Sequence, residues 1–169
     1  MGDSLRGVIF SHWVRKQFPA SKFPRVADLA GGTGILSNEL KYFGYHCTVF
    51  DVKRGKDKGY QRVEADIEKL KFEPQDFDLV LGLHPDQATF HVIRLAKEAG
   101  VPFAVVPCCV MPPTEYQHLT FTEHEWECWL VRQAHQAGFE TFRAQLQMRG
   151  KNRVIKGWIP KVKEKINGI

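Results

Sequence analysis

The sequence contains no long apolar run, and none of its hydrophobic segments approaches the length needed to cross a bilayer. It also has no internal repeat, no low-complexity segment and no secretory signal after its first residues. These absences predict a protein that does not span a membrane and is not secreted. We therefore expect a soluble protein with a cytoplasmic location.

Cysteine is scarce, with four in 169 residues. Cys108 and Cys109 are adjacent and no C-x-x-C pair is present, so the spacing matches neither a disulfide framework nor a metal-binding pair. Neighbouring residues of a strand point to opposite faces, which would separate these two side chains. The sequence therefore predicts reduced thiols and no bound metal.

The composition is that of a globular protein, with 43% hydrophobic and 25% charged residues. A chain of this length can bury a substantial core as one domain, so residues 1–169 are predicted to form a single domain. The formal net charge is +5 and the pI is about 9.1, which favours a polyanionic partner.

The most informative stretch is Arg25–Leu40, RVADLAGGTGILSNEL, in which an apolar run ends in glycines and passes directly into helical spacing. This pattern predicts a buried strand, a tight turn and a helix. The turn holds Gly31, Gly32 and Gly34, whose missing β-carbons let the backbone approach a ligand closely and aim amides at it. The turn is predicted to bind a cofactor; the alternatives are a purely structural turn and a site for another nucleotide.

Acidic residues follow the next two apolar runs. Asp51 lies near the end of Tyr45–Val52, about twenty residues after the glycines, where a carboxylate can accept hydrogen bonds from ribose hydroxyls. Asp66-Ile67 follows a third short run. A nicotinamide-binding loop would have the pattern G-x-G-x-x-G, but Ser37 stands at the third glycine position of the pattern that begins at Gly32.

Together, these segments resemble those of the class I S-adenosylmethionine (SAM) methyltransferases, in which the three positions hold the methionine part, the ribose and the adenine. The resemblance implies SAM as cofactor and a three-layer, Rossmann-like α/β fold. Its sheet would be mostly parallel, with seven strands and a terminal antiparallel hairpin. The implied cofactor-binding residues are Asp28, Ala30, Gly31, Gly32, Thr33, Gly34, Asp51, Val52, Asp66, Ile67, Leu83 and His84.

Periodicity and turn residues place the elements along the chain. The predicted strands are Arg25–Ala30, Tyr45–Asp51, Gln61–Ala65, Phe77–Leu83, Val101–Pro107, Phe139–Leu146 and Lys151–Trp158. The predicted helices are Ser4–Phe18, Ile35–Tyr42, one from Asp86 to Gly100, and one from a capping box at Thr122–Glu125 to Gly138.

Four further segments carry expectations about their roles. The N-terminal helix, residues 4–18, is expected to cover the sheet, with a place in the substrate wall as the alternative. The long loop Cys108–Phe121 is a candidate substrate lid. The basic loop Val52–Gly59 could meet phosphate or be a solvated loop, and the basic tail 159–169 could also touch phosphate.

Two residues after the fourth strand are candidates for catalysis. His84-Pro85-Asp86 lies at the sheet edge where parallel α/β proteins handle ligands. Methyl transfer from a sulfonium depends mainly on alignment, and a nearby base helps when the acceptor carries a proton. Asp86 and His84 are the predicted bases. The alternatives are that Asp86 caps a helix and that His84 only packs before the proline.

Cys108, in the Pro-Cys-Cys turn after the fifth strand, is a third candidate. It resembles the nucleophile of RNA cytosine-5 methyltransferases, although His84-Pro85-Asp86 replaces the second Pro-Cys motif of that family. The Asn/Asp-Pro-Pro-Tyr/Phe turn of many exocyclic-amine methyltransferases is also absent. Both turns are more similar to those of a group that includes the tRNA 2'-O-ribose methyltransferases, except that Met111-Pro112-Pro113 stands where histidines would follow.

The sequence therefore predicts a SAM-dependent methyltransferase that acts on RNA, either tRNA or rRNA. One alternative is a module of the same fold that has lost catalysis and binds RNA or stabilises a partner. The other is a methyltransferase for a small molecule or a protein. No membrane partner is expected, and the oligomeric state stays open.

Overall fold

The computed structural model describes residues 5–53 and 59–160, which contain a seven-stranded sheet. The strands are β1 (Arg25–Leu29), β2 (His46–Asp51), β3 (Gln61–Glu64), β4 (Leu79–Leu83), β5 (Phe103–Val106), β6 (Glu140–Gln145) and β7 (Arg153–Trp158). Their order is β3-β2-β1-β4-β5-β7-β6. The first five strands pair in parallel, and β7 pairs antiparallel with both β5 and β6. The predicted fold class and its terminal hairpin are confirmed.

Helices cover both faces of the sheet. The helices are α1 (Arg6–Gln17), α2 (Ile35–Leu40), α3 (Thr89–Ala99) and α4 (Glu123–Gln136), with 3-10 turns at Lys41–Phe43, Asp86–Ala88 and Thr114–Tyr116. Because strand side chains alternate in direction, β1 contributes to two buried clusters. Val26 packs with α1 and α2, whereas Ala27 and Leu29 pack with α3 and α4. The result is a three-layer arrangement.

The observed elements are shorter than predicted where proline or a turn intervenes. The fifth strand was expected over Val101–Pro107, but β5 lies between Pro102 and Pro107, which have no N–H to donate to a ladder. The helix expected to begin at Asp86 begins instead at Thr89, after a 3-10 turn. The apolar pattern thus locates each element, while local backbone chemistry sets its ends.

Parts of three predicted segments lie outside the described residues: the first residue of the N-terminal helix, residues 54–58 of the basic loop, and residues 161–169 of the tail. Among the helices that the structure does describe, none combines the length and apolarity needed to cross a membrane.

Helix α4 begins with the predicted capping box. The Thr122 hydroxyl accepts a hydrogen bond from the Glu125 amide (3.3 Å), and the Glu125 carboxylate accepts one from the Thr122 amide (2.7 Å). The tryptophans of the next turns, Trp126 and Trp129, are buried in the core. The box therefore fixes the end of the helix that places both rings.

Thr122→Ala is expected to lower the free energy of unfolding by about 1 kcal/mol, because the Glu125 amide loses its acceptor and the Glu125 carboxylate loses the Thr122 hydroxyl as a donor. Thr122→Ser keeps a hydroxyl and is the matched control. Chemical denaturation of both variants measures the difference, and equal losses in the two would contradict a capping role.

Candidate functional site

A cleft of about 1380 Å³ opens where the parallel strands end. Residues that follow β1, β2, β3 and β4 line it, together with residues of the loop after β5. From the predicted site, the lining includes Asp28, Ala30, Gly31, Gly32, Thr33, Asp51, Val52, Asp66, Ile67, Leu83, His84 and Asp86. Gly34 and Cys108 lie outside this lining. The fold therefore brings segments that are far apart in sequence to one edge of the sheet.

The glycine turn is shaped by close neighbours. A β-carbon at Gly31 would lie 2.8 Å from the Asp28 carboxyl carbon, and one at Gly34 would overlap the Tyr60 ring. Gly32 has φ +56, and its amide donates to Asp51 Oδ2 at 2.8 Å, with open space where its side chain would be. A β-carbon at Gly31 or Gly34 would displace a neighbour and one at Gly32 would strain the backbone, so the turn consists of bare backbone.

Asp28 has an unpaired buried oxygen. The side chain is fully buried at the end of β1, and its Oδ2 accepts a hydrogen bond from the Ser37 hydroxyl at 2.7 Å. Its Oδ1 has no hydrogen-bond partner among the described residues. Burial raises the pKa of the carboxyl to about 6. An unsatisfied buried acceptor of this kind destabilises a fold by about 1–3 kcal/mol. It therefore marks a place where a ligand can supply the missing hydrogen-bond donor.

The carboxylate of Asp51 is held by backbone amides. It is 7% exposed, and it accepts hydrogen bonds from Gly32 and Lys53, both at 2.8 Å. A carboxylate has about four lone-pair sites, so two remain for hydroxyl donors. Asp51 is thus fixed in position while it keeps capacity for a ligand.

Asp66 and Ile67, which follow β3, also line the cleft. Asp66 accepts a hydrogen bond from the Glu68 amide and pairs with Lys69 at 3.0 Å, and that contact lowers its pKa. Ile67 is buried. Arg94 holds the backbone here, because its guanidinium donates to the Ile67 carbonyl at 2.9 Å and to the Leu70 carbonyl at 3.0 Å.

His84 joins three parts of the fold. Its Nε2 lies 2.8 Å from the Lys151 carbonyl in the turn between β6 and β7, and its Nδ1 lies 3.5 Å from Arg6 of α1. Because a carbonyl only accepts, Nε2 carries the proton and Nδ1 accepts from Arg6. Burial lowers the His84 pKa, which favours this neutral form. Both ring nitrogens are engaged, so the geometry favours a positioning role for His84 over a free base.

Asp86 projects from a strained turn. Its φ is +47, and no side-chain hydrogen bond caps the 3-10 turn or α3, so the helix-capping alternative is wrong. Its Oδ1 accepts a hydrogen bond from the Cys108 thiol at 2.8 Å. Burial, and then this bond to Asp86, raise the Cys108 pKa to about 12. Cys108 is therefore a protonated donor rather than a thiolate nucleophile.

Backbone strain is concentrated in this cleft. Among the described residues, four that are not glycine have positive φ, and three of them, Ala30, His84 and Asp86, line the cleft. Such conformations cost about 1–3 kcal/mol each and persist where the surrounding structure needs them, most often at functional sites. The strain marks the ends of β1 and β4 as the centre of the site.

Solved structures identify this architecture. A putative SAM-dependent methyltransferase from Listeria monocytogenes matches with a TM-score of 0.65 at 11% identity, over 94% of this chain and 100% of that one. Human N-acetylserotonin methyltransferase in complex with SAM matches with a TM-score of 0.58 at 17% identity, over 94% and 54%. The chain has the SAM methyltransferase fold.

A third match is to a protein solved as part of a complex. The putative methyltransferase of Haloferax volcanii, solved in complex with the activator Trm112, has a TM-score of 0.59 at 13% identity, over 94% of this chain and 93% of that one. No protein-family model matches the sequence, and no curated protein matches it either. At these identities the comparisons establish the methyltransferase fold alone.

In this methyltransferase fold, the loop after β5 forms one wall of the cleft. Its lining residues include Val110, Met111, Pro112, Thr114, Gln117, Leu119, Thr120 and Phe121. The Tyr116 ring packs against Trp129 with centroids 5.1 Å apart, and the Thr114 hydroxyl donates to Glu68 at 3.3 Å. The predicted lid therefore borders the cleft, while its closure stays a prediction.

Sequence reasoning missed His91 and Arg94 of α3. The His91 side chain is 6% exposed and lines the cleft, and its Nδ1 accepts a hydrogen bond from Arg94 at 3.1 Å. Its Nε2 has no hydrogen-bond partner within the described residues, and burial lowers its pKa. The only signal in the sequence was a histidine and an arginine three residues apart on a helix that is otherwise largely apolar.

Proposed function

We propose that the protein is a SAM-dependent methyltransferase that acts on RNA. The observation that carries the proposal is the unpaired Oδ1 of Asp28, because it lies in the same cleft as the glycine turn and Asp51. A buried carboxylate oxygen without a partner fits an ammonium group, and a second fixed carboxylate fits a pair of hydroxyls. SAM carries both groups.

The residues of the cleft fit this cofactor. Asp28 and the glycine turn would hold the methionine part, Asp51 the ribose, and Asp66 with Ile67 the adenine. Val52 and Leu83, which also line the cleft, offer apolar surface to the cofactor. When bound, SAM supplies an electrophilic methyl group on a sulfonium whose departure leaves a neutral thioether.

The chain's own part in the reaction is to orient the acceptor and remove its proton. Asp86 lines the cleft, and within the described residues its Oδ2 accepts no hydrogen bond, so this oxygen is available to a hydroxyl or N–H of the acceptor. The Cys108 thiol fixes the other oxygen. His84 holds the turn in place through Lys151 and Arg6.

Charge supports an RNA acceptor. Arg6 lines the cleft, and the structure shows no carboxylate paired with it among the described residues. Together with the net charge of +5, a cation at the rim is suited to a phosphate group. RNA affinity is accordingly expected to fall steeply with salt.

The affinity for SAM is expected to decrease as the pH falls through about 6. Burial raises the Asp28 pKa to about 6, and only the ionised carboxylate can pair with an ammonium group. Well below pH 6, each pH unit should weaken binding about tenfold, and Asp28→Asn should remove this dependence. Calorimetric titrations from pH 5 to 8 measure both; a wild-type affinity that does not change with pH would contradict the role of Asp28.

The same carboxyl affects the ligand-free protein with the opposite sign. The folded pKa of about 6 exceeds the ordinary value of 3.8, so the folded state binds more protons than the unfolded state between these pH values. Stability is therefore expected to be highest below about pH 4 as far as Asp28 contributes, and to decrease as the pH rises to about 6. Asp28→Asn should flatten this part of a denaturation profile.

The experiment that tests the function partitions a tritium label. The protein is incubated with methyl-tritiated SAM and, separately, with total RNA, protein extract and small metabolites. Label in RNA supports the proposal, with Gly32→Asp as the control that should transfer none. Label only in protein or metabolites would assign a different acceptor class, and SAM binding without any label would favour the non-catalytic module.

A further inference from the structure

Three potential metal ligands meet where the loop after β4 faces the loop after β5. One oxygen of Asp86 and the thiol sulfurs of Cys108 and Cys109 all lie within 4.8 Å of one another. They come from two loops, the one after β4 and the one after β5. Among the described residues, no other group of three or more histidine, cysteine or acidic side chains is spaced in this way.

The two adjacent thiols converge because they are not part of a strand. β5 ends at Val106, so the alternation that would point Cys108 and Cys109 to opposite faces no longer applies to them. Asp86, at φ +47, lies within hydrogen-bond distance of Cys108. The positions of these donors are therefore consequences of two irregular turns that face each other.

The donor set is suited to a borderline-soft ion. Zinc binds thiolates at about 2.3 Å and carboxylates at about 2.0–2.2 Å, so two sulfurs on one tetrahedral ion lie about 3.8 Å apart. The observed ligand-atom separations, all within 4.8 Å, are compatible with that spacing. Magnesium and calcium prefer oxygen ligands throughout, and two thiols among three donors disfavour them.

We propose that Asp86, Cys108 and Cys109 form a binding site for one Zn²⁺ ion. Three protein ligands leave one tetrahedral position for water, and Cys109 is exposed, so the site can be reached from solvent. A Zn²⁺ ion bound here would coordinate the Asp86 carboxylate, which then could not act as the base of the proposed function. That consequence rests on the proposed function, whereas ion binding does not.

The remaining two cysteines are matched controls. Cys47 is buried in β2, and Cys128 lies 3.6 Å from His124 on α4, with no third donor close by within the described part of the chain. A site built from Cys108 and Cys109 should therefore be insensitive to Cys47→Ser and Cys128→Ser.

The test is a titration of the reduced, metal-stripped, full-length protein with Co²⁺ and then Zn²⁺, without SAM. We expect one equivalent of Co²⁺ to bind with a thiolate charge-transfer band, and Zn²⁺ to displace it. Cys108→Ser and Cys109→Ser should each weaken binding at least ~10-fold and reduce the band, as expected for loss of a ligand. Asp86→Asn should weaken binding but keep the band.

A second readout needs no substitution. Bound zinc should protect Cys108 and Cys109 from alkylation, measured by mass spectrometry of their peptide, while Cys128 stays reactive. The proposal is overturned if the wild type shows no thiolate band and no protection, or if Cys128→Ser rather than Cys108→Ser abolishes the band. Because SAM is absent from both measurements, failure here leaves the methyltransferase proposal unaffected, and failure of SAM binding leaves this one unaffected.

Discussion

Gly32→Asp is expected to weaken SAM binding at least ~100-fold, whereas Gly100→Asp leaves it unchanged. Both glycines have positive φ, and neither has an atom within 4 Å of the position that a β-carbon would take. The backbone strain of about 1 kcal/mol is therefore similar in the two variants. Only Gly32 lines the cleft, where a new carboxylate would fill space for the ligand and face Asp51.

Calorimetric titration with SAM measures the two affinities, and thermal denaturation of both variants controls for stability. Asp51→Ala provides an independent check on the same pocket, because it removes the acceptor of the Gly32 and Lys53 amides. Unchanged binding in both Gly32→Asp and Asp51→Ala would show that SAM does not occupy this cleft.

The main parts of the fold and the glycine turn could be predicted because their signals are local. Gly31, Gly32 and Gly34 follow directly on an apolar run, and Asp51 closes the next one, so strand, turn and acid are fixed by neighbouring residues. The position of Asp28 at the end of β1 was part of the same pattern.

What the sequence could not supply is contact between distant side chains. The partner of Asp28 is Ser37, the residue that departs from the dinucleotide-binding pattern, and only the turn into α2 brings them to 2.7 Å. The contact between Asp86 and Cys108 joins residues 22 positions apart in two loops without regular periodicity. The expectation that Cys108 and Cys109 diverge applied strand alternation to two residues that lie beyond the observed end of β5 at Val106.

Contacts between distant residues also explain why the sequence alone could not show which of His84 and Asp86 is the better base. Both follow β4 and both are typical proton acceptors, but the Lys151 carbonyl and Arg6 that engage His84 are 67 and 78 positions away. Only the folded chain shows that both ring nitrogens of His84 are engaged, whereas Asp86 Oδ2 has no hydrogen-bond partner within residues 5–53 and 59–160. The two residues therefore have separable roles that substitution can test.

Asp86→Asn is expected to lower the rate of methyl transfer by about 10²–10⁴-fold, because an amide cannot take the acceptor's proton. Cys108→Ser keeps a hydroxyl that can donate to Asp86 and should lose much less. The raised pKa of the Cys108 thiol keeps it protonated at neutral pH, which disfavours nucleophilic attack by its thiolate. The comparison thus separates a carboxylate base from a cysteine nucleophile.

The measurement is a single-turnover assay of tritium transfer to the labelled acceptor fraction. A chelator is present so that no metal ion is bound to Asp86 or Cys108. SAM affinity is measured for each variant in parallel, since a loss of binding would lower the rate for another reason. An inactive Cys108→Ser beside an active Asp86→Asn would reverse the assignment. It would require a covalent bond between Cys108 and the acceptor, which mass spectrometry of the trapped complex would detect.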